Sequence, residues 1–398
     1  MRRCGCRPEQ HRHERDCERC ELQHAPEEVG GADRRVEARR PVAAVLVPVT
    51  IELFGTTSGG EPVESISLRN AGGLRVEVIT LGAAVRAIDI PDRDGSFRNV
   101  ALSLGSVAEV EQRSPYLGAT VGRFANRIAD ARFMLDGRCF ELGANAPPHT
   151  LHGGFRGFDK VLWKRLPGCE ERASVTLAYV SAHGEEGFPG RLEVDAQYTL
   201  TEAGDLCVTY RATTDAPTVV SLTNHTYFNL GGEGSGSILD HELWIGADLV
   251  AEVDDRLIPT GRLLPVAGTP FDFTERSIIG ARIDEPHHQL ACAGGYDHNF
   301  VVGRSAGGAP RHVATVRDPA SGRVLELRTN QPGLQLYSGN FLDGTLTGPS
   351  GCPYGRRDGL CLEPQSFPDA PNQPGFPSAV LRPGEEYRAV SIYSFRTA

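Results

Sequence analysis

The stretch Arg191-Leu-Glu-Val-Asp-Ala-Gln-Tyr198 alternates apolar and polar side chains, and this alternation decides the fold class. Successive side chains of a β-strand point to opposite faces, so a strand with this pattern buries one face and exposes the other. Similar runs cover residues 74–81, 173–179 and 388–395. Strand follows strand at short intervals without an amphipathic helix of convincing length, and the sequence therefore predicts an all-β sandwich or barrel.

The segment Asp318-Pro-Ala-Ser-Gly322 separates two further alternating runs. Its proline presets φ and its glycine accepts a positive φ, so the segment predicts the turn of a β-hairpin. Neither an internal repeat nor a linker interrupts the later chain. We therefore expect one large domain over residues 48–398, whose first strand begins within residues 50–53.

Charge and cysteine usage narrow the range of partners and compartments. The formal net charge is −10 at pH 7, whereas nucleic acid or an anionic membrane surface would favour a basic face, so neither is expected as a partner. Six of the ten cysteines are scattered singly, and Cys207 and Cys361 lie in apolar strand patterns. We expect them to be buried thiols in a reducing, cytoplasmic compartment.

Residues 1–47 have a different composition, rich in Arg and Glu and poor in aliphatic side chains. Such a segment cannot bury enough apolar surface to fold, so we expect a disordered N-terminal extension. The next methionine after Met1 is Met134, so a misassigned start is an alternative. Zinc binding is another, because thiolates and imidazoles are ligands that zinc prefers and this segment holds Cys4, Cys6, Cys17, Cys20, His11, His13 and His24.

The segment Gly359-Leu-Cys-Leu-Glu-Pro-Gln-Ser-Phe-Pro-Asp-Ala-Pro-Asn372 is the most informative for function. Its apolar start predicts the end of a buried strand, and Pro364 is expected to stop the ladder because it lacks a backbone donor. Glu363 then lies in a rigid, partly desolvated setting that suits a general base. The alternative is a loop glutamate that binds neighbouring amides.

Five other motifs accompany this segment: Gly122-Arg-Phe-Ala-Asn-Arg-Ile128, Leu151-His-Gly-Gly154, Ser221-Leu-Thr-Asn-His-Thr-Tyr-Phe-Asn-Leu-Gly-Gly232, Tyr296-Asp-His-Asn299 and Leu334-Gln-Leu-Tyr-Ser-Gly-Asn-Phe341. With these motifs, the chain resembles the aldose 1-epimerases, also called galactose mutarotases. The resemblance runs in order from about Val49 to the C-terminus. It implies a large antiparallel β-sandwich and an isomerase that interconverts the α and β anomers of free aldohexoses such as galactose and glucose.

The resemblance also implies roles for single residues. Glu363 matches the general base and His225 the general acid. The matching sugar-binding residues are Asn126, Arg127, His152, Asp297 and Gln335. Proton transfer between such groups needs neither a metal nor another cofactor, so none is expected. The expected partner is a small aldose, and the expected assembly is a monomer or homodimer.

The two catalytic candidates are expected to influence each other. An ionised Glu363 near His225 would raise the pKa of the imidazole and keep it charged near neutrality. Asp297 and His298 are adjacent and face opposite sides of a strand, and we assign Asp297 to the site. Either Trp163 or Trp244 is able to stack on a sugar, and the sequence does not distinguish them.

Three alternatives from other classes are open at this point. A carbohydrate-binding module on the same fold would not need Glu363 and His225 together. A metal enzyme of the cupin kind would use these two residues with His152 and Asp297 as ligands, but it would carry a His-x-His cluster that the core lacks. A hexose 6-phosphate mutarotase would need additional cations for a dianion.

We predict that a chain beginning at Val47 is as active and as stable as the full chain. The earlier residues carry no motif of the family and no apolar core. Thermal unfolding and a mutarotation assay of both chains check this expectation. A melting temperature lowered by several degrees, or tight binding of one zinc ion by the longer chain alone, would contradict it.

Overall fold

The computed structural model describes residues 49–168, 173–303 and 308–398. The predictions made for residues 1–47 lie outside these ranges. The helices of the described residues are α1 Val107–Arg113 and α2 His288–Ala293, with 3-10 turns at Ala129–Ala131, Phe158–Lys160, Glu185–Gly187, Ile279–Ala281 and Ala370–Asn372. The strands are β1 Thr50–Thr56, β2 Pro62–Arg69, β3 Arg75–Ile79, β4 Ala84–Pro91, β5 Phe97–Asn99, β6 Thr120–Val121, β7 Arg127–Ile128, β8 Arg132–Leu135, β9 Arg138–Glu141, β10 Thr150–Leu151, β11 Lys164–Leu166, β12 Ser174–Ser181, β13 Leu192–Leu200, β14 Asp205–Thr214, β15 Thr218–Val219, β16 Thr223–Asn224, β17 Tyr227–Phe228, β18 Glu242–Ile245, β19 Leu249–Val253, β20 Pro259–Pro265, β21 Ser277–Ile278, β22 Asp297–Val301, β23 Arg311–Arg317, β24 Arg323–Thr329, β25 Gly333–Tyr337, β26 Leu360–Gln365, β27 Val380–Leu381 and β28 Tyr387–Thr397.

Three antiparallel sheets build most of the domain. Their strand orders are β1-β2-β3-β4-β5, β11-β12-β13-β14-β28-β24-β23-β18-β21 and β17-β26-β25-β22-β19-β20. One apolar core contains side chains from all three sheets, such as Ile66, Val194 and Leu336. The prediction of an all-β sandwich is therefore confirmed, and it rests on the alternation that placed one face of each strand inside.

The predicted hairpin is also confirmed. Strands β23 and β24 pair in antiparallel register on either side of the turn. The Asp318 carboxylate accepts hydrogen bonds from the backbone N–H groups of Ala320 and Ser321, and the N–H of Gly322 donates to the Asp318 carbonyl. The first strand begins at Thr50, within the predicted range.

Strand β26 runs further than the sequence indicated. It continues through Pro364, which lies opposite Leu334 of β25, to Gln365. The prediction that proline ends the ladder is wrong because β17 pairs only with Leu360 and Cys361. Beyond that point β26 has a ladder with β25 on one side, and a residue whose nitrogen faces the other side needs no donor. Glu363 consequently lies within a strand.

The burial of the cysteines was predicted for two of them, and the helices can be compared with the length that a membrane span needs. Cys207 and Cys361 are buried thiols as predicted, whereas Cys139 is exposed and Cys292 and Cys352 are half-buried. Cys139 lies in β9, where Arg138 and Glu141 are also exposed. Among the described residues, the helices are too short and too polar to cross a membrane.

Candidate active site

Three adjacent strands of the six-stranded sheet present a row of polar side chains. Glu363 of β26 lies directly opposite Gln335 of β25, and β22 carries Asp297. The amide nitrogen of Gln335 donates a hydrogen bond of 2.6 Å to the Asp297 carboxylate. Glu363 and Gln335 are 2% and 3% exposed, and Glu363 Oε2 has no hydrogen-bond partner among the described residues. This oxygen is an acceptor available to a ligand.

The alternation of β26 explains why Glu363 points away from the core. Leu360 and Leu362 belong to the main apolar core, while Cys361 and Glu363 lie on the opposite face of the strand. The hydroxyl of Tyr393 from β28 lies 3.5 Å from the Leu362 carbonyl on the core side. Packing of the leucines therefore fixes the direction of the carboxylate.

His225 reaches this face from the segment that links β16 and β17. Its backbone N–H donates to the Ala119 carbonyl at 2.9 Å, and its carbonyl accepts from the Gly118 N–H at 3.0 Å. The Asn224 side chain donates to the Gly118 carbonyl at 2.8 Å and accepts from both donors of Thr226. The polar residues around His225 thus hold its backbone in place.

His225 and Glu363 form a close but not hydrogen-bonded pair. Nε2 of His225 lies 3.7 Å from Oε1 of Glu363, which is longer than a direct hydrogen bond. Burial lowers the pKa of His225 to about 4. Burial and the nearby Asp297 carboxylate raise the pKa of Glu363 well above its ordinary value. The expectation that His225 stays charged near neutrality is therefore wrong for the free site, because the cost of desolvating both charges exceeds their attraction at this distance.

A second, two-stranded element brings two further candidate residues together. Strands β7 and β10 pair, with Arg127 opposite Leu151, and they bring Asn126 and His152 together. The backbone N–H of His152 donates to the Asn126 carbonyl, and the Asn126 N–H donates to Nδ1 of His152 at 3.2 Å. Both residues have a left-handed backbone, with φ of 67° for Asn126 and 51° for His152. Such strain clusters at functional sites, where the surroundings hold it in place.

The hydrogen bond to Nδ1 fixes the tautomer of His152. Because Nδ1 accepts, the proton of the neutral ring lies on Nε2. Burial and the positive charges of Arg127 and Lys160, together with His225, keep the pKa of His152 well below its ordinary value. The ring of His152 meets that of His225 edge-on, with a centroid distance of 5.2 Å. His152 is therefore a neutral Nε2 donor beside His225.

Arg127 acts on the sheet residues through its charge. Burial raises the pKa of Asp297, and the Arg127 guanidinium and the hydrogen bond from Gln335 oppose that rise. Arg123, four residues earlier, is almost completely buried and donates to the carbonyls of Pro189 and Gly190. This guanidinium therefore ties buried loops together.

The residues that the sequence left ambiguous lie apart from this site. His298 is buried against Phe271, with ring centroids 4.7 Å apart. Trp163 is in the main core, where its Nε1 donates to the Phe158 carbonyl. Trp244 stacks on His312 and donates to the Thr274 carbonyl.

Sequence reasoning missed several residues that contact His225. The rings of Tyr227 and Tyr116 stack on it with centroid distances of 5.0 and 5.8 Å. Sγ of Cys361 lies 3.4 Å from its Nδ1. Tyr227 and Cys361 lie in the quoted motifs and alternate with core residues, and this alternation indicates that they face the site. Tyr116 lies outside every quoted motif and comes from a distant loop.

The metal alternative finds only partial support in this geometry. Ligand atoms of His225, Cys361 and Glu363 lie within 4.8 Å of one another. However, Cys361 faces Nδ1 of the imidazole and Glu363 faces Nε2. One ion cannot bind both nitrogens of a ring, and Cys361 and Glu363 flank the imidazole at its two different nitrogens.

Comparison with known proteins identifies the family. The family model described as "Aldose 1-epimerase" matches residues 64–394. Galactose mutarotase of Rattus norvegicus is 47% identical over 354 residues, which is 89% of this chain and all of the relative. A solved structure of galactose 1-epimerase from Lactobacillus acidophilus has a TM-score of 0.77 at 28% identity and covers 88% of this chain and 99% of its own. An aldose epimerase homologue from C. elegans has a TM-score of 0.75 at 31% identity, covering 84% of this chain and 99% of its own.

The fold, the polar face and these matches define a protein of the galactose mutarotase-like β-sandwich class. The chain belongs to the aldose 1-epimerase family.

The close approach of the two loops makes a prediction about Gly153. A Cβ at this position would lie 1.9 Å from the Gly122 carbonyl oxygen, and φ is +92°. Gly153→Ala is expected to lower the free energy of unfolding by more than the roughly 1–2 kcal/mol of left-handed strain alone. Gly137→Ala is the matched control, since φ is +78° and nothing lies within 4 Å. Urea unfolding measures both, and equal losses would contradict the steric argument.

Proposed function

We propose that this protein is a mutarotase that interconverts the α and β anomers of free aldohexoses such as galactose and glucose. The observation that carries the proposal is the buried pair of Glu363 and His225, 3.7 Å apart, facing one polar site. Anomer exchange requires the C1–O5 bond to break and to reform on the other face. One group must take the C1 hydroxyl proton while another gives a proton to O5, and this pair supplies both.

The proton count of the pair is constant through the reaction. With the ring closed, Glu363 is ionised and His225 is the imidazolium. Glu363 takes the proton from O1 as Nε2 of His225 donates to O5, which leaves a neutral pair beside the open-chain aldehyde. Rotation about C1–C2 presents the other face, and the two transfers reverse. Atoms and charges balance without a covalent intermediate.

Burial favours the neutral arrangement of this pair. The pKa of His225 is lowered and that of Glu363 is raised, so desolvation stabilises the state that coexists with the aldehyde. The charged arrangement that starts the reaction is correspondingly reactive. Each positioned acid or base is typically worth about 10² to 10⁴ in rate.

The remaining polar groups would bind the sugar hydroxyls. His152 offers an Nε2–H donor, and Arg127 offers a cationic fork of donors. Asp297 accepts, and its bond from Gln335 fixes its orientation. Asn126 uses its side-chain oxygen for the Arg127 backbone N–H and so retains an amide donor. Donors and acceptors are both present, as an uncharged polyol requires.

We also propose a cytoplasmic monomer or homodimer. The support for the compartment is chemical: the cysteines in the described residues are thiols rather than disulfides. Residues 48–398 are proposed to be the catalytic domain, because the family model and the candidate site both fall within them.

Substitution of the acid–base pair tests the function. Glu363→Gln keeps the shape of the side chain but cannot accept the proton, and His225→Asn removes the group that donates to O5. Each is expected to lower kcat at least tenfold, given the usual contribution of such groups. Polarimetry of freshly dissolved α-galactose and α-glucose measures the rate. His312→Asn is the control, since this exposed histidine stacks on Trp244 outside the site. Full activity of either pair variant would contradict the assignment.

The pH profile provides a separate test. The active form carries one proton on the pair. Activity should therefore fall as the pH drops through about 4, because His225 then gains a second proton for the pair. Activity should also fall as the pH rises past the raised pKa of Glu363, because the pair then loses its last proton. The plateau should extend from below pH 6 up to the raised pKa of Glu363. A profile of kcat/KM with an acid limb near pH 6.5 would show that burial does not lower the pKa of His225.

A further inference from the structure

We propose that Cys361 is a positioning residue, whose uncharged thiol holds Nδ1 of His225 so that only Nε2 exchanges a proton. This inference rests on the proposed function, in which His225 is one half of the acid–base pair. It adds to that function a group that does not touch the substrate. Cys361 determines how the imidazole is oriented and which nitrogen works.

The geometry of β26 places Cys361 and Glu363 on opposite edges of one ring. They are two residues apart on the same face of the strand, a spacing of about 6.6 Å along the backbone. Sγ of Cys361 lies 3.4 Å from Nδ1 of His225, and Oε1 of Glu363 lies 3.7 Å from Nε2. All three side chains are buried. Two residues of one strand thus contact both nitrogens of the ring.

The face of the imidazole is held as well. Tyr227 stacks on it at an interplanar angle of 24° and donates its hydroxyl proton to the Pro115 carbonyl. The ring cannot turn about its Cβ–Cγ bond without losing this stack and both edge contacts. Among the described residues, the titratable groups that contact His225 are Glu363, Cys361, His152, Tyr116, Tyr227 and Tyr337.

The thiol is suited to this task because it is weakly polar. A carboxylate at Nδ1 would stabilise the imidazolium and hold the proton on His225. A neutral thiol accepts only a weak hydrogen bond from Nδ1–H, so it orients the ring without stabilising the imidazolium. Burial and the carboxylates of Glu363 and Asp297 keep the pKa of Cys361 well above its ordinary value, so the group stays neutral.

Two pairs of variants test the proposal. C361A and C361S leave side chains of nearly equal size and differ in the hydroxyl that can accept from Nδ1. C361A is expected to lower kcat roughly tenfold with little change in KM, as misplacement of a catalytic group does, and C361S is expected to recover most of the loss. C361D should move the acid limb of the pH profile upward by raising the pKa of His225, whereas its neutral isostere C361N should not.

The controls separate positioning from packing. C207A and C207S alter another buried cysteine, in β14, and should change neither kcat nor the pH profile. Melting temperatures show whether each variant folds. If C361A keeps the wild-type kcat and pH profile, or if C361S loses as much kcat as C361A at equal melting temperature, the proposal is overturned.

A spectroscopic arm does not depend on turnover. Nitrogen NMR of His225 in the wild type should show the Nδ1–H tautomer, and C361A should mix the two tautomers. An unchanged tautomer in C361A would overturn the proposal. An inactive wild type with the expected nitrogen spectra would instead reject the proposed function and leave the positioning role supported.

Discussion

The proposed chemistry depends on the placement of a single proton between two groups that have been removed from water. Glu363 and His225 can share that proton as a charged pair or as a neutral pair, and both arrangements have the same total charge. Water would favour the charged pair, but these side chains are 2% and 4% exposed and stand 3.7 Å apart. At that distance no direct hydrogen bond compensates for desolvation, so the neutral pair is the more stable. The sandwich and the aromatic rings around His225 matter for function because they keep water out.

This preference has a consequence for the direction of the proposed chemistry. A ring-closed sugar is present with the charged pair, and the open aldehyde is present with the neutral pair. Binding of the closed sugar offsets the free-energy cost of forming the charged pair. Because the site disfavours that charged pair, the barrier from the bound closed sugar to the open-chain intermediate is lowered. In the proposed mechanism, Arg127 and Asp297 supply that binding from outside the pair. The positive charge of Arg127 also limits the rise in the pKa of Asp297.

Local sequence predicted the parts of the structure that local rules control. The alternation in β26 correctly separates Leu362, which packs in the core, from Glu363, which does not. Pro364 was misjudged because its effect depends on where a neighbouring strand ends, and that strand is more than a hundred residues away in the sequence. The pKa of His225 was misjudged for a related reason. A neighbouring charge can be inferred from a motif, whereas the depth of burial is a property of the whole packed domain.

The loops that carry Asn126 and His152 show how hydrogen bonds and backbone strain position side chains. Asn126 and His152 bind each other through reciprocal backbone and side-chain hydrogen bonds, and both hold left-handed backbones that free chains avoid. The strain is sustained because Gly153 allows this loop to lie directly against the backbone at Gly122. The cost of ordering these groups is therefore met during folding, before a sugar arrives, and ligand binding has less entropy to lose. A rigid sheet and a strained pair of short strands make a site whose donors and acceptors are set in advance.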